Sequence, residues 1–183
     1  MRRAIGILGM VLIIGLAGIV RPEQMRPSSS RERRGQALIL PITAAELLER
    51  VRDGKARVTV VNLWATFCQP CVEEFPDLVR LERAYRKEGV RVFFVSMDFE
   101  SDLPAARRFL HQQGVEYPTF WKAQDDDQAF INALNPEWSG ALPATFVYDA
   151  RGRLRHFHEG KGDFALFERL VRDVLNNPKE VSL

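Results

Sequence analysis

Hydrophobic and polar positions change period repeatedly along this chain, and the changes mark out alternating strands and helices. Val58-Thr-Val-Val-Asn-Leu63 is β-branched and apolar enough for a buried strand, running over about 58–65. A helical pattern follows from Pro70 to Lys87 and closes at Gly89. Pro70 suits its first turn, where a missing N–H costs nothing. Val90 to Asp98 is a second, near-continuous apolar run. Strand, helix and strand with short links predict a right-handed parallel crossover.

The elements on either side extend this pattern. Thr43-Ala-Ala-Glu46 reads as a capping box for a helix ending near Asp53-Gly54, in a domain that begins near Leu38 or Pro41. Residues 102–114 are helical and stop at Gly114, Val115 to Trp121 is a short strand, and 127–135 is a helix before Asn135-Pro136. Ala144-Thr-Phe-Val-Tyr-Asp149 is a strand that turns at Ala150-Arg-Gly152 into a hairpin partner, Arg153 to Glu159. An amphipathic helix over Asp163 to Asn176 ends the pattern, with Phe164, Phe167, Leu170, Val171, Val174 and Leu175 on one side. The class is α/β, in one domain over 38–183. About 143 residues follow the first 40, enough to bury roughly two-thirds of the unfolded surface.

The N-terminus follows a different rule. After Arg2-Arg3 the chain is uncharged from Ala4 to Val20, a stretch that spans about 25 Å as a helix. Residues 1–21 read as a signal anchor with an extracytoplasmic domain behind it, or as a signal peptide cleaved near Gly15-Leu-Ala17. The anchor is favoured, although Arg21, Arg26, Arg31, Arg33 and Arg34 follow the segment, the reverse of the positive-inside distribution. Residues 22–37 lack periodicity and read as a flexible basic tether. The net charge of +2 is concentrated there, so the folded part carries no nucleic-acid footprint.

Both cysteines lie in Trp64-Ala-Thr-Phe-Cys68-Gln-Pro-Cys71, where strand passes into helix. Two sulfurs at this spacing can close a small ring, and a helix starting just after Cys68 aims free N–H groups and a positive dipole end at its sulfur. Zinc needs about four ligands, and His111, His156 and His158 stand at no zinc-finger spacing. His156 and His158 share a strand face but lack a third ligand nearby. A purely structural disulfide here closes too short a loop to stabilise much. Redox chemistry is the preferred reading.

Trp64-Ala-Thr-Phe-Cys68-Gln-Pro-Cys71-Val-Glu-Glu74-Phe-Pro76, an extra segment at about 100–136, and Gly140-Ala-Leu-Pro143-Ala-Thr-Phe-Val-Tyr-Asp149-Ala-Arg-Gly152 together resemble the membrane-anchored TlpA/ResA-like thiol-disulfide oxidoreductases. The likeness covers about 40 to 178. It implies a thioredoxin-like fold, a central mixed sheet flanked by helices, and an extracytoplasmic reductant of protein disulfides, often serving cytochrome c maturation. Ala144 stands where the cytochrome-maturation subgroup commonly carries an acidic residue.

Within that resemblance Cys68 attacks the substrate disulfide and Cys71 resolves the mixed disulfide. Pro143 is the cis-proline beside the disulfide, preferred to Pro118 because a strand hairpin follows it; Leu142 and Pro143, with Pro70, are expected to meet the substrate, and Trp64 either joins them beside the active site or packs in the core. Glu74 lies three residues after Cys71 on the same helix face and matches the family's glutamate, a proton acceptor for the resolving thiol. Glu73 points about 100° away. The chain has no cofactor motif, so the Cys68–Cys71 pair must draw electrons from a partner, by analogy a membrane protein.

Two alternatives are a copper metallochaperone and a thiol peroxidase. The first wants C-x-x-x-C with a histidine. The second wants Pro and Thr where Val61 and Ala65 stand.

Overall fold

The computed structural model describes residues 38–123 and 126–177. The apolar segment at 4–20 and the basic tether lie outside the described residues. Among those described, no helix is long and apolar enough to cross a membrane.

Six strands form one sheet: β1 (Ile39–Ile42), β2 (Val58–Trp64), β3 (Val90–Ser96), β4 (Thr119–Lys122), β5 (Ala144–Asp149) and β6 (Leu154–Glu159). Their spatial order is β1-β4-β3-β2-β5-β6. The pairs from β1 to β2 are parallel, while β2/β5 and β5/β6 are antiparallel. Five helices cover it: α1 (Ala44–Val51), α2 (Gln69–Tyr85), α3 (Leu103–Gln112), α4 (Asp127–Leu134) and α5 (Phe164–Asn176). This is the thioredoxin-like mixed sheet expected from the resemblance.

Alternation along β2 sorts the core into two layers. Val58, Val60 and Trp64 join Phe75 and Leu78 of α2, Leu110 of α3 and Val171 of α5 on one face. Val61 and Leu63 join Leu47 of α1 and Phe130 of α4 on the other. All seven residues of β2 are buried, which is why the strand shows no strict alternation of apolar and polar positions.

The boundaries differ from expectation where proline intervenes. β4 starts at Thr119 rather than Val115, just after Pro118, which has no N–H to give a ladder. β1 is a strand that the pattern does not announce, because four residues containing Pro41 give too little period to read. It occupies a sheet edge, where proline is tolerated. The segment at about 100–136 supplies α3, β4 and α4, and β4 lies within the sheet, between β1 and β3.

Candidate active site

The disulfide sits where β2 ends and α2 begins. Cys68 is the N-cap of α2, with extended backbone, and its Sγ accepts from the Cys71 N–H at 3.3 Å. Pro70 occupies the first turn and is exposed. Cys68 and Cys71 are joined, with Cα atoms 5.3 Å apart. Cys68 keeps 8% of its surface exposed and Cys71 none, so Cys68 is the sulfur a partner can reach. A thiolate there gains from unpaired N–H groups and from the helix dipole.

The two adjacent glutamates of α2 have opposite surroundings. Glu73 is exposed and paired with Lys161, whose hydrogen bond holds its carboxyl below the usual range. Glu74 is buried, and burial pushes its pKa up to about 7 despite two stabilising hydrogen bonds. One carboxylate oxygen accepts from Asn62 Nδ2 at 2.9 Å and the other from the Gly162 N–H at 2.7 Å. Asn62 Nδ2 also donates to Thr145 Oγ1, its cross-strand neighbour on β5. The amide Oδ1 of Asn62 is buried without a partner. Gly162 is required at its position, since a Cβ there would lie 2.4 Å from Phe167.

Asn62, Thr145 and Gly162 were not among the sequence candidates. Asn62 carried a signal: it is the one polar residue in β2 that shares a face with Val58, Val60 and Trp64, so it points at α2.

Pro143 follows a cis peptide bond from Leu142. Ala144 pairs with Leu63, so the antiparallel register carries Pro143 alongside Trp64, at the disulfide end of the sheet. Pro143 is buried and its carbonyl accepts from the Gly160 N–H, while Leu142 is half-buried against both core layers. Pro118 precedes β4 in a trans linkage, consistent with the choice of Pro143.

Of the two roles open to Trp64, the structure shows packing. Its side chain is fully buried, not placed to meet a substrate, and packs on Phe75 and Phe109 with ring centroids 5.0 and 5.1 Å apart. Alternation along β2 turns it inward, and Phe109 of α3 covers it. It supports the disulfide turn from beneath.

His156 is engaged by Asp173 at 2.8 Å, and His158 Nε2 lies 3.4 Å from the Lys161 carbonyl. Among the described residues no group of three or more His, Cys, Asp or Glu is arranged to hold a metal. Val61 and Ala65, at the peroxidase Pro and Thr positions, are buried and apolar.

Residues 45–157 match the model of the AhpC/TSA family. The chain belongs to that family. It is 31% identical over 129 residues to protein DipZ of Mycobacterium bovis, covering 68% of this chain and 18% of DipZ. It is 27% identical over 132 residues to the thiol-disulfide oxidoreductase ResA of Bacillus subtilis, covering 71% of this chain and 67% of ResA. Among solved structures, a thioredoxin-family thiol:disulfide interchange protein from Chlorobium tepidum TLS matches with a TM-score of 0.57 and 26% identity, over 76% of this chain and 97% of that one. The family member described here thus pairs a thioredoxin-like fold with a C-x-x-C disulfide at a helix N-terminus.

Proposed function

We propose that this AhpC/TSA-family protein is an extracytoplasmic thiol-disulfide oxidoreductase that reduces disulfides of protein substrates, with its domain tethered to the membrane through residues 4–20. The observation that carries the chemistry is the asymmetry of the cysteine pair. Cys68 caps α2 and touches solvent, whereas Cys71 is buried one turn on, with Glu74 on its helix face.

The reaction moves two electrons. Cys68 thiolate attacks one sulfur of the substrate disulfide; a Cys68–substrate disulfide forms and the other substrate sulfur leaves as thiolate. Cys71 then gives its proton to the Glu74 carboxylate and attacks Cys68 Sγ. The intramolecular disulfide forms, and the second substrate sulfur leaves and takes up a proton. A pKa of about 7 lets Glu74 accept and return a proton near neutrality. In this reading an extended substrate pairs with the backbone of the Leu142–Pro143 segment, which the register sets level with Trp64 at the end of β2. A dithiol in a membrane partner restores the reduced pair. An apocytochrome substrate in cytochrome c maturation is the family-derived proposal.

Alkylating intact cells with a membrane-impermeant thiol reagent tests direction and location together. The expected result is labelling of Cys68 without added reductant. Labelling only after cells are opened contradicts the location, and labelling only after added dithiol contradicts a resident reductase.

A further inference from the structure

The segments that leave β2 and β3 meet, and one buried carboxylate fastens them. Asp98, just past β3, is 3% exposed. Its Oδ1 accepts from the Thr66 N–H at 2.9 Å and from the Thr66 hydroxyl, and its Oδ2 accepts from Ser96 Oγ at 2.7 Å. Its carbonyl accepts from Trp121 Nε1 of β4 at 2.7 Å, and the neighbouring Met97 N–H donates to the Trp64 carbonyl. One residue beyond each end of this clasp stands a phenylalanine in water: Phe67 is 65% exposed and Phe99 73%. They are the two most exposed large apolar side chains among the described residues.

The exposure does not arise from loose chain. Phe67 lies between clasped Thr66 and Cys68, the cap of α2; Phe99 lies between Asp98 and the 3-10 turn Glu100–Asp102. Two large rings held in solvent on ordered backbone, one residue past either end of the clasp, offer apolar surface at the same end of the sheet as the disulfide. Phe67 immediately precedes Cys68 in the chain, so a partner that covers its ring lies next to the reactive residue.

Resting on the proposed reductase function, we propose that Phe67 and Phe99 form an apolar rim, set in place by the Thr66–Asp98 clasp, that selects substrate disulfides flanked by large apolar residues. Phe99 determines specificity; Asp98 is a positioning residue acting through Thr66. The favoured partner is a polypeptide with its disulfide in an apolar, locally unfolded stretch, since a folded substrate keeps such residues inside.

The test uses two disulfide-cyclised peptides differing only in flanking residues, leucine or serine, with hydroxyethyl disulfide as a third substrate. The wild-type protein is expected to favour the leucine peptide about tenfold in kcat/KM, mainly through KM. Phe99→Ser should bring that preference to about twofold or less, and Phe99→Leu should retain it. Leu154→Ser, on β6, should leave it unchanged. Asp98→Asn, which keeps an acceptor for Thr66, should retain more preference than Asp98→Ala. Equal use of both peptides by the wild type, or an undiminished preference in Phe99→Ser, overturns the rim while leaving the reductase intact. Failure to reduce any of the three substrates overturns both. A Phe99→Ser change confined to self-association assigns the surface to a second copy and also overturns it.

Discussion

Cys71→Ser is expected to accumulate protein adducts joined through Cys68, whereas Cys68→Ser accumulates few. The cause is the difference in access. Cys68 has exposed surface and stands at a helix N-terminus whose N–H groups favour a thiolate, and Cys71 has no exposed surface with which to begin an attack. Once Cys68 is bonded to a substrate, only a thiol one turn away can release it. Both single variants should lose essentially all turnover, so the adducts are the informative readout. Non-reducing gels of the two variants, each mixed with disulfide-containing protein, show which cysteine attacks. Equal trapping by both contradicts the assigned order.

Glu74→Gln should have two effects, of different kinds. Reduction of a protein disulfide should slow about tenfold or more, the lower end of a general-base contribution, and the thiol titration should change. Stability should become less dependent on pH. Burial raises the pKa of Glu74 to about 7 from an ordinary 4.5, so the folded protein retains a proton that the unfolded chain releases. This contribution is fully present below about pH 4.5 and is lost as the pH rises through 7. A difference of that size corresponds to about 3 kcal/mol. The amide introduced by Glu74→Gln has no charge to desolvate, and the buried, unpartnered Oδ1 of Asn62 can accept from it after an amide flip. Urea midpoints at pH 5 and pH 8 should therefore converge in Glu74→Gln relative to wild type. Glu73→Gln, which alters an exposed ion pair with Lys161 and an exposed hydrogen bond with Gln69, should change neither rate nor pH dependence. If the two glutamate variants behave alike, Glu74 is no more than a helix-terminus charge.

What could be read from the chain were features that local chemistry dictates. The strand before Cys68, Pro70 in the first turn and Glu74 one turn after Cys71 lie close together in sequence, so period and capping place them together. Pro143 was legible because the hairpin after it completes the sheet beside β2. The partners of these residues come from far along the chain. Gly162 reaches Glu74 across 88 positions, and Asp98 reaches Thr66 across 32. Periodicity states which face is buried but not which distant group closes a hydrogen bond there. Trp64 stays open between two roles in the sequence for a related reason: only α3, packed through Phe109, decides whether an aromatic at the end of a buried strand is covered.

The reduction potential of the Cys68–Cys71 couple tests the central claim most directly. It can be read by equilibrating the protein with dithiol buffers and quantifying the disulfide. A value of about −250 mV or lower is expected of a reductant of protein disulfides; one near −120 mV makes the protein an oxidant and contradicts the proposed function.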